Sequence, residues 1–199
     1  MNKLTVLGAL AALTVAGPAL AQAPQSGLSY SYVELGYVNT EIDDANVDGD
    51  GFALKGSWGF TDRFHAFASY ADLGYDFGID SSQFEIGAGL NQALTPKLDL
   101  VATVSYLSAE VTANVPGFRS LSVDDDGFGV GVGLRGLVTD QFELNGKIDY
   151  VDFDNAGDDT TFTVGARYSF TPAWAVGADI KFNDDGNTWM IGGRYTFGR

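Results

Sequence analysis

The chain has 199 residues, with 26 acidic and 11 basic side chains and a formal charge of −15. That balance excludes nucleic acid as a partner, since phosphate binding needs a basic face. It has no cysteine, which excludes a disulfide scaffold, so stability must come from packing and backbone pairing.

The first element in chain order is a leader. Residues 1–21 carry Lys3, an apolar run from Leu4 to Ala16, a break at Gly17-Pro18 and the small-x-small triplet Ala19-Leu20-Ala21, the pattern of a secretory signal. The apolar run is too short to cross a membrane as a helix. Residues 22–199 are expected to form the mature domain, with ten basic against 26 acidic side chains and a formal charge of −16. No later apolar stretch reaches the length of a membrane-spanning helix.

Beyond the leader the chain reads as strands. A short turn pattern recurs as "GFTDRF" from Gly59, "ALTPKL" from Ala93, "LVTDQF" from Leu137 and "SFTPAW" from Ser169. Asp or Pro after the Thr suits a type I turn, and the Thr hydroxyl can bond the local backbone. The flanks alternate with period two, as in Phe142, Leu144, Gly146, Ile148 and Tyr150 against Glu143, Asn145, Lys147 and Asp149. Each interval between turns fits two strands and one variable loop. The resulting strands are 28–40, 50–60, 63–74, 82–93, 97–109, 126–138, 141–152, 160–170, 173–183 and 187–198. Longer acidic connections fall at 41–49, 75–81, 110–125, 153–159 and 184–186. Tight turns at one end and long loops at the other are the layout of an all-β, ten-stranded antiparallel up-and-down transmembrane β-barrel.

Alternation alone does not identify the solvent, because a soluble barrel would turn its apolar face inward. Three features favour lipid outside. Aromatic residues such as Trp58, Phe64, Phe142 and Trp174 lie by the tight turns, and Tyr37, Phe52, Phe84, Phe128 and Trp189 toward the long loops. Ala66, Ala88, Val104, Val132 and Val164 lie between, as between two aromatic girdles. Phe52 to Phe60 is long enough for a tilted strand to cross the hydrocarbon. The opposite face carries acidic Glu34, Glu85, Asp99, Glu143, Asp149 and Asp179, with basic Lys55, Arg135, Lys147, Arg167, Lys181 and Arg194. These twelve are expected to form a lumen charge network. In it Glu34 bridges Arg194, Lys55 or both, since a charge removed from water needs a partner.

The opening strand "SYSYVELGYV" and the closing hairpin "FTPAWAVGADIKFNDDGNTWMIGGRYTF" resemble those of small porin-like outer-membrane β-barrel proteins. The resemblance covers nearly the whole mature chain. It implies the fold and an outer-membrane location, with outer-membrane lipid, lipopolysaccharide and the barrel assembly machinery as partners. Such barrels usually end in an aromatic residue that the machinery reads. Here Trp189, Ile191, Tyr195 and Phe197 keep the alternation, and Gly198 and Arg199 follow.

Other constellations are weaker. "DANVDGDG" places Asp44, Asn46, Asp48 and Asp50 at positions 1, 3, 5 and 7 of an EF-hand loop. Position 12 is Lys55 rather than Glu and the flanks are strands, so the stretch reads as a solvated turn around Gly49-Asp50-Gly51. Those four residues remain weak candidates for divalent-cation binding, and no metal, cofactor or catalytic site is expected. The acids of the long loops, opposed there only by Arg119, read first as a solvated rim, and second as a cation-attracting mouth or a bridge to lipopolysaccharide. His65, the only histidine, falls near the tight turns, away from the acidic loops, which argues against an enzyme. Gly127, Gly129, Gly131 and Gly133 share the inner face and should make room for Tyr30, Tyr32, Phe67 or arginines opposite. The expected function is a structural or interaction barrel, with at most a narrow, weakly cation-preferring pore. A barrel enzyme acting on lipid or peptide, and a surface adhesin or divalent-cation binder, are the alternatives.

Overall fold

The computed structural model describes residues 26–42, 47–114 and 120–198. The secretory segment 1–21, Asp44 and Asn46 of the calcium-like stretch, and Arg119 lie outside them. Ten strands follow one another: β1 (Tyr32–Ile42), β2 (Val47–Gly59), β3 (Phe64–Tyr75), β4 (Ile79–Thr95), β5 (Leu98–Ala113), β6 (Leu121–Leu137), β7 (Phe142–Phe153), β8 (Gly157–Ser169), β9 (Trp174–Asn183) and β10 (Gly186–Thr196). Each pairs antiparallel with its sequence neighbours, and β1 pairs with β10 to close the ring. Closure satisfies the backbone of every strand on both sides, the condition for a sheet to face hydrocarbon.

The repeated Thr shapes the tight turns. Thr61 Oγ1 accepts from Arg63 N and Phe64 N, at 3.2 and 2.9 Å. Thr139 and Thr171 accept in the same way from the residues two and three positions on. Thr95 heads a shorter turn and accepts from Lys97 N only, at 3.2 Å. Pairing these backbone N–H groups inside the turn keeps it short and locks the register of the hairpin it joins.

Polarity is inverted relative to a soluble barrel. Outward Phe52 and Trp58 are 64% and 63% exposed, whereas inward Glu34 is 4% and Asp99 0%. An apolar exterior around a charged interior fits lipid outside. A small apolar cluster of Val38, Ala53 and Met190, backed by Ala71 and Leu73, fills the lumen beside the β1–β10 seam.

Four expectations need correction. The first strand begins at Tyr32, not at residue 28, and residues 26–31 are not strand. Asp48, Gly49, Asp50 and Gly51 do not turn the chain. They belong to β2 and pair with β1 and β3, where a side chain at Gly49 would meet the Tyr75 ring and one at Gly51 the Asp72 carbonyl. The connection at 110–125 is largely strand, since β5 and β6 stay paired up to Ala113 and Leu121. The connection at 75–81 shrinks to a single 3₁₀ turn, Asp76–Gly78.

Short turns face the periplasm and long loops the exterior in such barrels. The chain has no native cysteine, so single introduced thiols report sidedness. Asn155→Cys should react with an impermeant maleimide on intact cells, and Pro172→Cys only after the outer membrane is permeabilised. The opposite pattern overturns the orientation. Val132, on the outward face midway along β6, should not tolerate charge: Val132→Arg should cost about 2–4 kcal/mol in the folding equilibrium, the depth-dependent cost at the bilayer midplane.

Candidate functional site

The charged residues of the inner face come together in the lumen. Arg194 of β10 is the direct antiparallel partner of Glu34 on β1, and its Nε donates to Glu34 at 2.6 Å. Arg167 of β8 reaches the same carboxylate, with Nε and Nη2 each 3.3 Å from it. It also donates from Nη2 to Asp179 at 2.7 Å and from Nη1 to Asn145 at 2.6 Å. Arg135 grips Glu143 with two bonds, 2.8 and 2.9 Å. Weaker pairs of 3.9 and 3.6 Å tie Glu143 to Arg167 and Arg194. Glu34, Glu143, Asp179, Arg167 and Arg194 are all buried, which is tolerable only because each carboxylate has guanidinium donors.

Glu34 therefore bridges Arg194 and Arg167. Lys55, although its Cα faces that of Glu34 across β1–β2, bonds Asp179 instead at 3.3 Å. Lys147 pairs with Asp149 on its own strand at 2.7 Å. Glu85 takes only a long bond from Ser69, 3.4 Å. Lys181, near the end of β9, stands outside these pairs, as does Asp99. Asp48 and Asp50 sit two residues apart on the outward side of β2, away from the lumen.

Inner-face glycines make the arrangement possible. A side chain at Gly177 would strike Arg167, and one at Gly165 would strike the Asp179 carboxylate. The Gly127–Gly133 row is also filled, but not by the expected residues. Asp149 and Lys147 of β7, with Thr103 of β5, lie over Gly131, and Ser105 with Leu107 over Gly129. Phe67 and His65 lie over Gly87 and Gly89 of β4. These recesses receive side chains of adjacent strands.

The contacts of the segment before β1 were not legible in the sequence. Residues 26–31 turn into the tight-turn end of the barrel. Ser26 Oγ and Tyr30 Oη donate to Asp99 Oδ2, at 2.7 and 2.9 Å. The Tyr30 ring stacks on His65, with centroids 4.7 Å apart, and Arg135 donates to the Ser29 carbonyl at 2.8 Å. Ser57 Oγ donates to the Tyr30 carbonyl at 2.7 Å. His65 Nδ1 lies 3.3 Å from Asn91 Oδ1. The imidazole is thus engaged in packing at this end of the barrel. At the turn surface Lys97 donates to Asp140 at 2.7 Å, and this bond with its ammonium charge holds the Asp140 carboxyl below the usual carboxylate range.

Comparison with known proteins places the fold. The family model described as outer membrane protein beta-barrel domain matches residues 7–170. No curated protein matches the chain. Among solved structures the chain is similar to Ail, the attachment invasion locus protein of Yersinia pestis, at 18% identity over 84% of this chain and 97% of that one, with a TM-score of 0.47. It is similar to the KdgM porin at 14% identity, over 83% and 99% of the two chains, with a TM-score of 0.46. The translocator domain of the autotransporter NalP from Neisseria meningitidis matches at 12% identity, over 96% and 98%, with a TM-score of 0.47.

Glu34 joins two arginines from two other strands, so its loss leaves both guanidinium groups short of a counter-charge. Glu34→Ala should lower stability by about 3–5 kcal/mol. Asp184→Ala, in the exposed β9–β10 turn, should stay within about 0.5 kcal/mol. Urea titration in micelles, followed by tryptophan fluorescence, measures both. Equal stability of the two variants would remove Glu34 from any structural role.

Proposed function

We propose, from the premise that this chain belongs to the outer membrane protein beta-barrel domain family, that it is a structural and interaction barrel whose lumen is closed by its own side chains. One observation carries this reading. Glu34, Glu143 and Asp179 are interlocked with Arg135, Arg167 and Arg194 inside the wall. Ten strands lie close to the eight-stranded size at which side chains fill the interior, far from the about 16–18 of open porins. Residues 26–31 close the tight-turn end beneath the network.

The protein is an outer-membrane barrel, and what it holds there follows from its two surfaces. Outer-membrane lipid surrounds the apolar band. Lipopolysaccharide is the proposed neighbour of the acidic rim, bridged to it by divalent cations. The alternating Trp189, Ile191, Tyr195 and Phe197 of the closing strand are the proposed signal for the assembly machinery. A residue 22 start for the mature chain, after removal of the leader, belongs to the same proposal. A non-enzymatic role is favoured because His65 is stacked on Tyr30 at the opposite end from the acidic loops.

A second reading is a narrow, weakly cation-preferring pore. It draws on the acidic rim and on Lys55, Lys147 and Asp149, whose side chains keep 26%, 28% and 24% of their accessibility inside the wall. Planar-bilayer recording separates the two. A closed barrel gives small or no conductance in the native protein, and a measurable rise in Glu34→Ala. Large, steady native conductance overturns the closed-lumen reading.

A further inference from the structure

A cavity of about 250 Å³ lies beside the ion-pair network at the tight-turn end. Residues 27–29 form one wall, and the β6–β7 and β8–β9 turns form the others. Arg135, Arg167 and Arg194 reach it from the lumen together with Glu143, and Asp140 stands at the turn. Three basic groups thus face two acidic ones, in a chain whose formal charge is −15. Both acids are already engaged. Arg135 holds Glu143 with bonds of 2.8 and 2.9 Å, and Lys97 holds Asp140 at 2.7 Å. Glu34 and Asp179 do not line the cavity.

The donors left over decide what fits. Arg135 uses Nε and Nη2 on Glu143 and Nη1 on the Ser29 carbonyl. Arg167 has all three nitrogens bonded. Among the described residues Arg194 bonds through Nε alone, to Glu34, while its Nη1 stands 3.6 Å from Glu143, too far for a hydrogen bond. Among the described residues, the buried side-chain atoms without a partner are the Oδ1 atoms of Asp99 and Asp179. Arg194 lines the cavity although the residue is only 6% exposed, and its Nη groups carry no hydrogen bond among the described residues. Stacking on Tyr32, with Cζ 3.8 Å from the ring centroid, holds the guanidinium plane in place. A fixed guanidinium at a small cavity, with Nη donors unbonded among the described residues, matches the two oxygens of a carboxylate or phosphate.

We infer that this cavity binds a small oxyanion, a carboxylate or phosphate group, on the Nη edge of Arg194. The volume lies below the roughly 300–1,000 Å³ of pockets that take drug-sized ligands, so the occupant is small. It arrives from the tight-turn side, the periplasm, because the network lies between the cavity and the acidic mouth. The inference does not depend on whether the lumen conducts.

The test uses the refolded protein in uncharged micelles with ¹⁵N-labelled arginine. Arginine side-chain resonances are followed as chloride is replaced by phosphate, or by acetate, at constant ionic strength. The Arg194 signal should move saturably with at least one of them, and the effective anion tells a phosphate site from a carboxylate site. Gln141→Glu adds a negative charge to the cavity wall, spares the network and should weaken binding about tenfold, the effect of a contact worth about 1.4 kcal/mol. An unchanged far-ultraviolet circular dichroism spectrum verifies that this variant folds. An Arg194 signal that stays put, that shifts without saturating, or that saturates equally in Gln141→Glu overturns the site.

Discussion

A closed sheet in hydrocarbon has no free edge, and each residue has only two places to point. Pairing of β1 with β10 imposes both conditions. Once the ring closes, every second side chain faces lipid and its neighbours face the lumen. Outward exposure of Phe52 and Trp58 and inward burial of Glu34 and Asp99 follow from that one constraint. So does the small size of the apolar cluster at Val38, Ala53 and Met190, because lipid contact, not an internal core, takes up most of the apolar surface.

Charge burial sets the second level of organisation. A carboxylate in such a lumen needs donors, and a donor group needs a path to reach it. Arginine suits this because its planar fork serves two or three acceptors at once, as Arg167 does with Glu34, Asp179 and Asn145. The glycines supply the path. Arg167 lies over Gly177 and the Asp179 carboxylate over Gly165, so the wall is thinnest where the long side chains cross it. Lysine, a point charge on a flexible stem, takes the peripheral pairs with Asp179 and Asp149.

Strand number, facing and the identity of most buried charges were legible because period-two alternation is a local signal that tertiary context does not override. The Thr of the tight turns was legible for the same reason, since Thr61 bonds backbone only two and three residues away. Partner choice was legible only in part. Strand adjacency points Glu34 at Arg194, which it meets, and at Lys55, which bonds Asp179 instead; which further side chains meet inside depends on strand tilt and on which glycines open a route, and Arg167 comes from two strands beyond β10. The upper parts of β5 and β6 read as loop because Asp124 and Asp125 look like loop residues, although Val111 pairs with Val123 and the alternation persists. Residues 28–31 read as the start of the first strand because "LSYSYVELGYV" runs without a break into β1. The chain departs from the sheet before Tyr32, where Ser26 and Tyr30 find Asp99 and Ser29 finds Arg135.

The wall of this barrel is uneven in height. Strands β4 and β6 have 17 residues and β9 has 10, a difference of roughly 20 Å of extended chain. The tall side rises as a parapet while the β9–β10 side stays low. Seen from a neighbouring molecule in the same leaflet, the rim is not level. A neighbour can approach the rim closely from the low side and is held at a distance on the other. The protein therefore imposes a compass direction on its surroundings, and its packing in a crowded leaflet depends on how it is rotated about the membrane normal.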